Sequence, residues 1–111
     1  MQNFYVKISP RAQADMDNAL DYIAVELCNP YAALNLLDGF EECFKNLKQF
    51  PLSGTELKVN TSLKRVYRWV LVENYIVLFT VDEPNQTVTV MRVLYGTSDY
   101  FSILKADEQD N

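Results

Sequence analysis

A chain of 111 residues that is 49% hydrophobic and 23% charged is one globular domain by length and composition, not a disordered or low-complexity chain. At that size it buries a core without needing a disulfide or a metal. Its net charge of −5 is unevenly laid out: residues 10–44 carry seven acids against Arg11, 45–72 six cations against Glu56, and 73–111 seven acids against Arg92 and Lys105. Such a basic island can hold an anion locally, while the molecule as a whole repels nucleic acid at long range.

Residues 3–8 (NFYVKI) read as a first strand. It breaks at Ser9-Pro10, where serine suits a helix N-cap and proline the first helical position. From there Ala12, Met16, Ala19, Leu20, Ile23 and Leu27 recur at helical spacing, with Asp15, Asp17, Asp21 and Glu26 largely off that face. Asn29-Pro30 repeats the cap-plus-proline signal and opens a second helix, whose Ala33, Leu36, Leu37, Phe40, Phe44 and Leu47 share one side. That helix stops before Pro51, because proline disfavours a helical conformation at the preceding residue. Two antiparallel helices joined by a short turn result.

Residues 51–62 read as a loop with a short edge strand around 57–59. Strands over 63–72, 75–82 and 87–95 follow, rich in β-branched and aromatic residues, with turn chemistry at 73–74 and 83–86. The middle strand is apolar on both faces and belongs in the sheet interior. Gly96 ends the last strand, and Ser98 or Asp99 caps a short helix through Leu104. One domain over 1–104 is expected, with 105–111 an acidic flexible tail. The order β-α-α-(β)-β-β-β describes an α+β fold, its helices on one face of a mostly antiparallel sheet.

Cys28 and Cys43 are too far apart on the expected hairpin for a bridge: about 13 residues of helix is ~20 Å, against the ~7 Å a disulfide tolerates between Cα atoms. They read as free core fillers in a reducing compartment. The start of the chain lacks the basic-then-apolar pattern of a signal peptide, and no apolar run is long enough for a membrane span, so the expectation is a cytoplasmic protein.

Several strings in this order resemble the RelE/ParE toxin family of type II toxin–antitoxin (plasmid stabilisation) systems. They are Ile8-Ser9-Pro10-x-Ala12, Asp21-Tyr22-Ile23, Asn29-Pro30-x-Ala32-Ala33-x-x-Leu36-Leu37, Leu47-x-x-Phe50-Pro51-x-x-Gly54, Val72-x-Asn74-Tyr75-x-Val77, and Val90-x-Arg92-Val93-Leu94-Tyr95-Gly96-x-x-Asp99-Tyr100. Each alone is a cap, turn or strand that other folds use; their order over nearly the whole chain carries the resemblance. It implies a RelE-like fold with the first strand beside the last, and a cognate antitoxin protein as partner. It also implies either metal-independent cleavage of ribosome-bound mRNA or non-enzymatic poisoning of DNA gyrase, with growth inhibition as the outcome. No Gly-rich phosphate loop or Cys/His cluster is present, and no cofactor or metal is expected.

Cleavage of RNA needs a group to activate the ribose hydroxyl, cations for the phosphate and a proton donor. The chain has no histidine. Where many relatives carry two basic residues after the glycine, it has Thr97 and Ser98. Ile76 stands where the ribosome-dependent nucleases often carry an arginine. The candidates left for a catalytic or anion-binding role are Arg65, Arg68, Arg92, Tyr95 and Tyr100, with Lys64 beside them and Trp69 interleaved. Each has a structural alternative: the arginines a solvated face or a salt bridge, the tyrosines half-buried packing, Trp69 a core position. Three readings follow: an endoribonuclease of weakened or absent activity, a gyrase-binding toxin, or an inert antitoxin-binding relative.

Overall fold

The computed structural model describes residues 3–58 and 62–110. β1 (Tyr5–Ile8) ends where Ser9 caps α1 (Pro10–Asp21): the serine side chain accepts the Ala12 amide, with Pro10 in the first turn. Asn29 caps α2 (Pro30–Gln49) in the same way, accepting from Ala32. Between them the chain does not run straight from helix to turn. Residues Tyr22–Glu26 widen into a π-helical turn, and Cys28 takes a left-handed φ of 51° before the second cap. This turn displaces the end of the expected apolar stripe, so Leu27 is exposed instead of packed. Cys28 is likewise exposed, which corrects its reading as a core filler; Cys43 is buried, and both are free thiols.

The sheet contains β2 (Thr55–Glu56), β3 (Arg68–Val72), β4 (Tyr75–Asp82) and β5 (Thr87–Tyr95) beside β1, in the order β1-β5-β4-β3-β2. β1 runs parallel to β5, and every other pairing is antiparallel. β4 lies in the middle, as its two-sided apolar run requires. The short edge strand falls at 55–56 instead of 57–59; residue 59 lies outside the described residues. Regular β3 begins at Arg68, not at residue 63. The Lys64 and Arg65 amides donate to a helix carboxylate, Glu108, instead of to a neighbouring strand, so no ladder forms there.

β5 carries one residue more than β4 opposite it: Leu78 faces Arg92 and Phe79 faces Val90, which leaves Met91 as a bulge. The bulge lies just beyond the end of β1 and frees the Val93 amide from the ladder.

Two cores fill the faces of the sheet. Ala12, Met16 and Ala19 of α1 and Leu36, Phe40, Cys43 and Leu47 of α2 pack on Val72, Val77, Phe79, Val88, Val90 and Val93. On the opposite face Tyr67, Leu78 and Leu94 meet Leu104 of α3 (Tyr100–Gln109), flanked by Trp69, Met91 and Ile103. The helical hairpin of α1 and α2 thus packs on one face of the sheet, as expected, and α3 covers the other. Capped by Asp99, α3 runs to Gln109 instead of ending at Leu104, because Glu108 finds buried partners that anchor its last turn. Among the described residues, no helix is long and apolar enough to cross a membrane.

Candidate functional site

The five residues singled out from the sequence do not form one constellation. Arg92 sits at the β5 bulge, and its Nε and Nη2 donate to both oxygens of Asp15 on α1 at 2.7 and 2.9 Å. Its Nη1 reaches Asp107 of α3 at 3.2 Å. Fork-to-carboxylate pairing of this kind is among the stronger charge-assisted contacts. The Asp15 hydrogen bonds, opposed in part by burial and reinforced by Asp107, push the arginine further above its ordinary range, so it stays charged. Arg11 adds ion pairs to Asp107 at 3.4 Å and Asp110 at 2.6 Å. Arg92 takes the salt-bridged arrangement that was the structural alternative for it, and its charge ties α1, β5 and α3 together.

Arg68 is also committed. It lies on β3 opposite Phe79 and donates through Nη2 to the Leu52 and Gly54 carbonyls at 2.9 and 2.6 Å, holding the loop after α2 against the sheet. Arg65 differs from both. Its side chain is exposed beside a cleft of about 360 Å³ that Arg11, Tyr67, Met91 and Asp107 also line.

Next to that cleft, Glu108 is only 4% exposed. Its carboxylate accepts the Lys64 amide at 2.7 Å, the Arg65 amide at 3.2 Å and the Tyr67 hydroxyl at 2.8 Å. Burial pushes its pKa up, but these donors and the Arg65 charge outweigh burial and hold it below the ordinary glutamate range. Tyr67 moves the other way: burial and the adjacent Glu108 push it up to about 12, against a smaller opposing effect of Arg65. Sequence reasoning passed over Glu108 because an acidic run at a chain end carries no periodic signal.

The two tyrosines separate as well. Tyr100 packs on the α3 face and its hydroxyl donates to the Gly96 carbonyl. Tyr95 points to the face that α1 and α2 cover, edge-on to Tyr75 with ring centroids 5.5 Å apart. Tyr22, Ile23, Leu27, Asn74, Tyr75 and Tyr95 there line a cavity of about 600 Å³ at the π-helical turn. Burial, then the neighbouring Tyr95 and Tyr22 hydroxyls, raise the Tyr75 pKa. Tyr22 and Tyr75 entered the sequence reading only within the strings of the family resemblance and not as site residues; they lie 53 positions apart and meet only through the fold. Trp69, read as core, is half-buried in the cluster beneath α3.

Comparison with known proteins adds what this geometry leaves open. The family model described as the ParE toxin of the type II toxin–antitoxin system parDE matches residues 6–100. No curated protein matches the sequence. Among solved structures, the chromosomal ParDE toxin–antitoxin system of P. aeruginosa superposes with a TM-score of 0.64 at 22% identity, covering 83% of this chain and 95% of that one. The RelBE2 toxin–antitoxin complex of Mycobacterium tuberculosis gives 0.60 at 20% identity, covering 86% and 93%. An E. coli RelE toxin variant in the free state gives 0.57 at 8% identity, covering 96% and 98%. At such identities the structural likeness establishes the fold, and the family assignment comes from the sequence model. Because that model runs from β1 to the first residue of α3, the chain belongs to the ParE toxins of type II toxin–antitoxin systems.

Proposed function

We propose that this toxin acts by binding a protein target, with DNA gyrase the target its family suggests, and that it does not cut RNA. The observation that carries this reading is the internal commitment of the arginines. Arg92 is neutralised by Asp15 and Asp107, and Arg68 is spent on two loop carbonyls. A nuclease of the metal-independent kind needs free cations and a proton donor converging on one phosphate. Here Tyr95 and Tyr100 lie on opposite sides of the sheet, and the Tyr100 hydroxyl is engaged by Gly96. Arg65, exposed although its charge also bears on Tyr67 and Glu108, is the candidate most accessible to an anionic partner.

A cognate antitoxin is the second proposed partner. The P. aeruginosa structure is of a ParDE toxin–antitoxin system and the RelBE2 structure is of a toxin–antitoxin complex, and the acid-rich surface of this chain favours a partner segment with basic character.

The test sets the two mechanisms side by side. Purified chain is added to a gyrase supercoiling assay and, separately, to a cell-free translation reaction read by primer extension. Loss of supercoiling with trapped gyrase–DNA complexes, and intact mRNA, is the expected result. New mRNA ends at the ribosomal A site would overturn the reading in favour of an endoribonuclease; no effect in either assay would favour an inert antitoxin-binding relative.

A further inference from the structure

The cavity at the tip of the helical hairpin is walled by aromatic rings, and the chain segments that supply them carry acids next to the lining residues. Tyr22 and Tyr95 are 53% and 50% exposed, and Tyr75 sits half-buried between them and Phe40. Among the described residues, no internal hydrogen bond engages the hydroxyls of these three tyrosines or the Asn74 carboxamide. Asp21, Glu26 and Glu73 adjoin lining residues in the chain and are exposed. No lysine or arginine occurs between Arg11 and Lys45, between Arg68 and Arg92, or between Arg92 and Lys105. Every segment that builds the cavity is therefore free of cations.

We propose that this cavity is a guanidinium site, built to take an arginine side chain presented by a protein partner. The negative faces of aromatic rings attract a cation, and the flanking carboxylates strengthen that attraction while repelling an anion. Arginine fits better than lysine for two reasons. Its planar group stacks on tyrosine and sheds water more readily than an ammonium. Its five donors also suit a rim of phenol and carboxamide oxygens that have no partner in the chain.

The occupant is a polypeptide and not a free metabolite, because the same hairpin carries further exposed apolar residues and a second groove whose lining is next in the chain to that of the cavity. Val25, Tyr31 and Leu34 are 66%, 80% and 58% exposed along the same hairpin. A shallow groove beside them is lined by Leu20, Ala24, Ala33, Leu34 and Leu37. An arginine flanked by apolar residues covers both features at once. A second copy of this chain is disfavoured, since the hairpin carries seven acids against Arg11, Lys45 and Lys48 and would face its own net negative charge. The π-helical turn gives this site its shape: such widened turns recur at functional positions because they re-aim side chains, and here one sets Tyr22 over the strand ends. The proposal goes beyond the gyrase reading and holds or fails independently of it.

The experiment is a titration of the full chain, isotope-labelled at its tyrosine rings and followed by NMR. The probes are N-acetyl-arginine amide, its lysine counterpart, and the uncharged citrulline amide of the same shape. Saturable shifts of the Tyr22, Tyr75 and Tyr95 signals are expected with the arginine probe, several-fold weaker binding with lysine, and none with citrulline. Tyr22→Leu and Tyr95→Leu, both at half-exposed positions, should each weaken arginine binding about 2- to 10-fold, the worth of one ring. Tyr95→Phe, which keeps the ring, should retain most of it.

A helical peptide carrying the arginine between two leucines should bind at least ~10-fold tighter than the amide, as burial of a leucine implies. Equal response to citrulline, or silence of all three tyrosines at roughly 100 mM arginine probe, overturns the cation site. Equal affinity for lysine overturns the guanidinium assignment, and a peptide no tighter than the amide overturns the protein source.

Discussion

Arg92 and Asp15 stand 77 positions apart in the chain and meet in two nearly parallel bonds of 2.7 and 2.9 Å. The same carboxylate accepts the Val93 amide at 2.9 Å, the backbone donor that the β5 bulge releases. One side chain of α1 thus satisfies both a charge and a backbone group that the bulge would otherwise strand. The bulge, the arginine and the helix acid form one device.

That device predicts an asymmetry. Arg92→Met leaves Asp15 without a counter-charge and Asp107 with Arg11 alone. Discounted for partial exposure, it is expected to cost about 2–3 kcal/mol in urea unfolding. Asp15→Asn still offers an acceptor to Val93 and should cost roughly half as much. Wild-type stability of Arg92→Met would return this arginine to the pool of free anion-binding groups.

Glu108 makes a similar prediction at the end of α3. Glu108→Gln replaces an acceptor with a donor where three donors converge, and a loss of about 1–3 kcal/mol is expected. Circular dichroism against denaturant measures it, and Glu108→Ala should be no better tolerated. An unaffected midpoint would mean that α3 is not anchored through this residue.

The pH dependence follows from the same hub. Glu108 has a depressed pKa, so the unfolded chain takes up the proton first as pH falls below the ordinary 4.5. Its stabilising contribution is complete above 4.5 and disappears as pH drops through the depressed value. Tyr67 is raised from 10 to about 12, so its contribution is complete below 10 and is lost between the two values. Trp69, the single tryptophan, packs in the cluster under α3 and reports both transitions by fluorescence. Because the Arg65 charge helps hold Glu108 low, Arg65→Gln should move the acid midpoint upward.

A fourth prediction concerns the loop after α2. A Cβ at Gly54 would meet the Phe79 ring and the Trp69 carbonyl, each at 2.8 Å. Backbone cannot yield as a flexible side chain does, so Gly54→Ala should cost about 1–3 kcal/mol by overpacking. Arg68→Ala strips the Leu52 and Gly54 carbonyls of their donor and should destabilise by about 1–2 kcal/mol. If Arg68 instead contributes to function alone, unfolding midpoints will not move.

Much of the architecture was legible in the residues. Ser9-Pro10 and Asn29-Pro30 announce two helix starts, and both caps form with the side-chain bonds that serine and asparagine favour there. The apolar run of β4 placed it mid-sheet, because only a strand flanked on both edges and covered on both faces buries such a run. These signals are local: each depends on residues within a few positions of one another, so the chain alone determines them.

Tertiary structure decided the rest. Whether Arg92 would face an external anion or Asp15 depended on a one-residue bulge and on where α1 crosses β5. Glu108 became a buried anchor because the segment before β3 turned its amides toward α3. Tyr22, Tyr75 and Tyr95 became neighbours only when the π-helical turn folded over the strand ends. Side-chain partners are chosen by three-dimensional proximity and by the need to satisfy buried charges and amides, and neither is written in local spacing.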